Sequence, residues 1–154
     1  MTSPSTSGHA DFHSAFRGRF SNLLTWESLD ALWRTVRAQA GAGWYIYAIG
    51  MPTPTQPASA DEVKQVVDAV DALLRHDHRE DYCGIVYVDN AETPTLVKIF
   101  DPHNLGTSCG SSKNAPLPGW ILSRLPPQPL IDKRPLPAGR QRWWRALWHA
   151  DANP

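Results

Sequence analysis

The chain has 154 residues, of which 42% are hydrophobic and 19% are charged, a composition typical of a globular protein that forms one domain. Its 15 basic and 15 acidic residues cancel, so the overall charge predicts neither a nucleic-acid partner nor a membrane partner. Two cysteines are too few for a disulfide scaffold, and the N-terminus lacks the apolar core of a secretory signal. We therefore expect a cytoplasmic protein with free thiols.

The N-terminal region divides into two parts. Residues 1–10 are rich in serine, threonine, proline and glycine, which predicts a disordered N-terminus. Three phenylalanines then recur at every fourth position, as Phe12, Phe16 and Phe20. This spacing favours an arm packed on the body of the domain over a motif that docks a partner.

Two amphipathic helices are predicted, each with its own start signal. The first runs from about Trp26 to Gln39, with Thr25 as its N-cap. The second follows Ser59, which matches a capping box with Glu62. Each helix carries a single apolar stripe, formed by Leu29, Leu32, Trp33 and Val36 in the first and by Val63, Val66, Val67, Val70, Leu73 and Leu74 in the second.

Strand-like segments alternate with these helices at 44–49, 83–90 and 95–100, and the segment 119–125 is a possible fourth strand. The order α-β-α-β-β-(β) predicts an α+β fold, with two main helices packed on one face of a mostly antiparallel sheet of three to four strands. We expect one domain over 11–125 and a right-handed crossover between the first two strands.

The C-terminal region has a different composition. Five prolines over 126–139 predict a Pro-rich linker, and 140–149 forms a short amphipathic segment. This segment carries Trp143, Trp144 and Trp148, with Arg142 and Arg145 beside them. Tryptophan and arginine are enriched at binding hot spots, so these residues are candidates for binding a partner. The alternatives are docking on the chain's own domain or, less favoured, contact with a membrane surface.

A glycine-punctuated loop over 101–112 holds the candidate chemistry of the chain. Cys109 is a candidate nucleophile, with His103 as its base and Asp101 as the group that orients the imidazole. In a non-catalytic interpretation the same region binds a ligand or partner. The candidate contacts are then Asn104, Gly106, Ser108, Gly110, Ser111 and Arg124.

The run from His76 to Asp81 contains histidines and carboxylates, but it closes a helix, where a solvated mixed-charge end is ordinary. We therefore predict no metal site and no cofactor. Cys83 begins a core strand, which predicts an inert buried thiol.

These features favour a non-enzymatic accessory protein that presents the 101–124 surface and the Trp/Arg tail to a protein partner, with no expectation about oligomeric state. The first alternative is a small cysteine-dependent hydrolase or transferase that uses Cys109 with His103. A weaker alternative is a sensor domain that binds a small ligand between the Tyr45/Tyr47 strand and the loop.

Overall fold

The structure is a computed structural model that describes residues 12–78, 80–81, 83–102, 117–130 and 138–149. A helical turn over 12–16 precedes three longer helices. The helices are α1 (Trp26–Ala38), α2 (Ala60–Asp77) and α3 (Ala138–His149), and the strands are β1 (Ser21–Asn22), β2 (Tyr45–Ala48), β3 (Val86–Val88), β4 (Leu96–Ile99) and β5 (Trp120–Ser123).

The strands form one antiparallel sheet in the order β1-β3-β4-β5-β2, which confirms the α+β class. The sheet has five strands because β1, only two residues long, pairs with the edge of β3. The expected right-handed crossover from β2 to β3 is wrong. Three successive antiparallel pairings separate these strands, so they run in opposite directions and the rule for parallel strands does not apply.

Both predicted helix starts are confirmed. The Thr25 side chain accepts a hydrogen bond from the Ser28 backbone N–H, as an N-cap does. At α2, Ser59 and Glu62 form the reciprocal capping box. Arg75 of α2 then joins the two helices, since its side chain bonds Asp71 of its own helix and Asp30 of α1.

The sheet buries a different set of residues on each face. The side facing the helices belongs to the main core, which includes Trp33, Trp44 and Trp120. The opposite side forms a second cluster of Phe12, Tyr47, Ile49, Leu96 and Ile121, against which Phe16, Phe20, Leu117 and Leu130 pack. Phe12 has no exposed surface, so the N-terminal phenylalanines form a packed arm, as their spacing predicts.

Among the described residues, no helix combines the length and the apolar character that crossing a bilayer requires.

Candidate functional site

Helix α3 packs on the domain through its tryptophan face. Trp144 is 8% exposed and belongs to the main core cluster, while Trp143, Leu147 and Trp148 are partly buried against it. The Trp143 ring meets Trp120 of β5 edge to face, with centroids 5.4 Å apart. These contacts stabilise α3, because a helix of twelve residues is marginal in water without tertiary packing.

A charged contact fixes the first turn of α3. Arg140 donates from Nε to Asp101 Oδ2 at 2.8 Å and from Nη2 to Asp101 Oδ1 at 3.0 Å, and Nη2 also donates to Asp77 Oδ2 at 2.9 Å. The three side chains are only 14%, 8% and 11% exposed, for Arg140, Asp101 and Asp77 respectively. Hydrogen bonding to Asp101 raises the pKa of Arg140 further, so the guanidinium stays charged. We call this contact the Arg140 clamp.

The docked helix forms one wall of a groove of about 450 Å³. The other wall is the extended segment 54–58, whose stiffness follows from its prolines. The residues that line the groove are Ile46, Pro54, Thr55, Gln56, Pro57, Ala58, Glu62, Trp144 and Trp148. We call this surface the Trp–Pro groove.

The two indoles of the groove stand nearly at right angles. The ring centroids of Trp144 and Trp148 are 5.3 Å apart and the ring planes meet at 81°. Trp144 and Trp148 are four residues apart and therefore lie on the same face of α3, the face that lines the groove. Opposite them, the backbone N–H of Ala58 donates to the Trp44 carbonyl at 2.7 Å and ties the proline segment to the start of β2.

Among the described residues that line the groove, Glu62 is the only charged one. Its position is set by the capping box, in which Oε1 accepts the Ser59 backbone N–H at 2.8 Å. The second carboxylate oxygen of Glu62 can accept a hydrogen bond from another donor. A groove with one aromatic wall and an acidic group favours cationic ligands over anions.

The predicted site residues fall into three groups. Cys109, His103, Asn104, Gly106, Ser108, Gly110 and Ser111 lie outside the described residues, so the roles expected of them stay predictions. The second group contains Asp101 of the Arg140 clamp and Arg124, whose guanidinium lies 5.7 Å from the centroid of the Trp44 ring. The third is on α3, where Arg142 and Arg145 are exposed, Trp144 and Trp148 line the groove, and Trp143 contacts Trp120.

The sequence also singled out two histidines at the end of α2, Cys83 and Tyr47. His76 is exposed and its Nδ1 lies 2.7 Å from Asp77 Oδ1, while His78 Nε2 lies 2.9 Å from the Cys83 carbonyl. Cys83 has no exposed surface, and burial raises the pKa of its thiol. Tyr47, named for the ligand sensor, is 3% exposed. In the part of the chain that the structure describes, no three histidine, cysteine or carboxylate side chains form a cluster suited to a metal ion.

Sequence reasoning missed the residues opposite the tryptophans. Pro54, Pro57 and Glu62 line the groove, although their patterns indicated only a stiff connection and a helix cap. Ile46 also lines it, about 100 residues before Trp148 in the chain. The useful signal was the amphipathic 140–149 segment itself, since a tryptophan face that docks on a domain must meet some other part of the chain.

Comparison with known proteins adds no assignment, since no family model, curated protein or solved structure matches this chain.

Proposed function

We propose that this protein is a non-catalytic interaction module that binds an extended segment of a protein partner in the Trp–Pro groove. The observation that carries the proposal is the pairing of two tryptophans on α3 with two prolines across one open groove. Aromatic-lined grooves are a recurrent way to bind extended peptides, and tryptophan is among the residues most enriched at binding hot spots.

The arrangement also gives the groove a rigid frame, which lowers the entropic cost of binding. Trp144 is fixed in the core, and Gln65 of α2 donates a hydrogen bond to the Leu147 carbonyl. The proline segment on the other side has little backbone freedom to lose. Both walls are therefore in place before a partner arrives.

The 101–112 loop belongs to the proposal as a second contact with the partner. Its first residue, Asp101, is held by Arg140 at the start of α3, so the loop begins beside the helix that lines the groove. We place the protein in the cytoplasm, where its two cysteines remain thiols.

The test is selection of peptides from a displayed random library on the full chain, followed by measurement of their affinities for variants. We expect the selected peptides to lose about thirtyfold in affinity when Trp148 is replaced by alanine, the loss typical of a hot-spot tryptophan. The matched control is Arg145→Ala, an exposed position on the same helix, which should leave affinity unchanged. Near-ultraviolet circular dichroism verifies that Trp148→Ala keeps the domain folded.

The proposal fails if the selected peptides bind Trp148→Ala as tightly as the wild-type protein. It also fails if their binding shifts the amide resonances of another surface and leaves those of α3 and the 54–58 segment unmoved.

A further inference from the structure

The face of an indole ring attracts positive charge, because its π electrons give the ring a negative face and a positive edge. Trp144 and Trp148 meet edge to face at 81°, and both line the groove. Trp144 is 8% exposed, so the partly buried Trp148 offers the larger aromatic surface to a ligand. The aromatic surface of the pair therefore favours a cationic group over a neutral one of the same size.

The charge of the groove also favours a cationic ligand. Glu62 lies in the lining together with the two indoles, and none of the described residues that line the groove is a lysine or an arginine. Because Glu62 is fixed by its bond to Ser59, the carboxylate is positioned for a ligand without first being ordered by it. Arg142 and Arg145 of α3 are exposed and do not line the groove, so Glu62 is the charged group of its described lining.

The size of the groove indicates that the cation is part of a longer ligand. A volume of about 450 Å³ exceeds what one ammonium or guanidinium group fills, and the rest of the lining includes Ile46, Pro54 and Pro57. These apolar side chains suit the aliphatic stem of a lysine or arginine, which packs on hydrophobic surface while its charged end is held elsewhere.

We propose that the Trp–Pro groove anchors a lysine or arginine side chain of the partner segment, with its charged end between the indole pair of Trp144 and Trp148 and the Glu62 carboxylate. This inference rests on the proposed function and specifies the chemistry of the group that the groove selects.

The experiment compares five short peptides that are identical except for a central lysine, arginine, trimethyl-lysine, norleucine or glutamate. Binding to the full chain is followed through the indole N–H resonances of Trp144 and Trp148. Norleucine keeps the lysine stem without the charge, so the ratio of its Kd to that of lysine isolates the contribution of the cation. We expect the three cationic peptides to bind about threefold to thirtyfold more tightly than norleucine, the range of a cation–π contact from exposed to desolvated sites. The glutamate peptide should bind weakest.

Two variants at the start of α2 supply a matched pair of charge changes. Glu62→Gln removes the charge inside the groove and keeps an oxygen that can accept the Ser59 N–H. Asp61→Asn removes the same charge one residue earlier, at a position that is exposed, as Glu62 is, but does not line the groove. We expect Glu62→Gln to lower the preference for lysine over norleucine severalfold and Asp61→Asn to leave it unchanged.

Different failures have different meanings. Equal affinity for lysine and norleucine, or equal effects of the two variants, overturns the cation inference while the binding function stands. A preference for trimethyl-lysine alone, with lysine and arginine no better than norleucine, also overturns it in favour of a methylated side chain. A Kd of about 10 mM is the weakest affinity that a useful contact would show. If none of the five peptides shifts the indole resonances at concentrations up to that value, the groove is not a binding site and the proposed function falls with it.

Discussion

Lys98 places an ammonium group on the sheet face that the N-terminal arm covers. Its Nζ donates to the Phe16 carbonyl at 2.6 Å and lies 4.0 Å and 3.9 Å from the ring centroids of Phe16 and Phe20. These contacts stabilise the charged form, whereas burial favours the neutral amine and lowers the pKa of Lys98 to about 8. The side chain that ties the arm to the sheet therefore changes charge within an accessible pH range.

This pKa predicts a pH-dependent contribution of Lys98 to stability. Between pH 8 and the ordinary lysine value of 10.5, the unfolded chain holds a proton that the folded chain has lost. The stability of the wild-type protein relative to Lys98→Met should therefore rise as the pH increases through this window, and this gain is absent below pH 8. Urea unfolding of both proteins at pH 7 and pH 10 measures the difference, and a titration of the Lys98 side-chain resonances locates the midpoint. A gap that stays constant across the window contradicts the assignment.

Cys83 should be unreactive in the folded protein because its thiol is buried. Cys83 has no exposed surface and its thiol pKa is raised, so little thiolate forms and no reagent reaches it. We expect iodoacetamide to leave Cys83 unmodified in the folded protein and to label it after denaturation, as read by mass spectrometry of the cysteine peptides. The same experiment, repeated across pH, tests the cysteine-dependent alternative. If Cys109 reacts with an ordinary pKa near 8.5, it is not activated as a nucleophile.

At the scale of elements, the Arg140 clamp and the tryptophan face are the main contacts of α3 among the described residues. The Arg140 clamp joins the first turn of α3 to the end of α2 and to the residue that follows Phe100. Farther along the helix, the packing of Trp143 and Trp144 against the main core holds α3 on the domain. Removing the arginine takes three charge-assisted hydrogen bonds away from the buried carboxylates of Asp77 and Asp101, which is costly because a buried charge has lost its water.

We therefore expect Arg140→Ala to lower the free energy of unfolding by about 3 kcal/mol, the lower end of the cost of breaking a buried ion pair. Arg142→Ala, an exposed change on the same turn, should stay within about 0.5 kcal/mol of the wild-type protein. Urea unfolding measures both. Equal effects of the two substitutions show that the clamp contributes no more than an exposed charge.

Prediction from the sequence succeeded for α1 and α2 because their signals are local. An apolar stripe and a cap at Thr25 or Ser59 depend on residues within one or two turns, and both elements form as their patterns indicate. Strand β1 was missed because two residues carry no readable alternation. Its pairing with β3 depends on residues more than 60 positions away, which no local pattern specifies.

The candidate site was less predictable for the same physical reason. The composition of 140–149 marked Trp144 and Trp148 as binding residues, but it gave no information about what they would face. The groove exists because α3 places Trp144 and Trp148 beside β2 and the 54–58 segment, which are more than 80 positions earlier in the chain. Which elements pack against each other depends on the whole core, so no local sequence pattern predicts what Trp144 and Trp148 face.

At the scale of the molecule, the Trp–Pro groove and the Arg140 clamp are coupled through α3, since the groove is complete only while α3 is docked. Arg140 does not line the groove, yet it stabilises the docked position of the helix that supplies Trp144 and Trp148. A protein whose binding-competent form is partly populated binds with an affinity reduced by that fraction. Loss of the clamp should therefore weaken binding through the population of docked α3, without changing any contact to the ligand.

We expect Arg140→Ala to raise the apparent Kd of a groove-binding peptide, by roughly twofold if α3 is docked half of the time and roughly tenfold if it is docked one tenth of the time. Hydrogen exchange of the α3 amides gives the docked fraction independently, so the two measurements must agree. Arg142→Ala serves as the control and should change neither quantity. If α3 exchanges freely in Arg140→Ala while the peptide binds as it does to the wild-type protein, the docked helix is not needed for binding, and the ligand contacts the chain elsewhere.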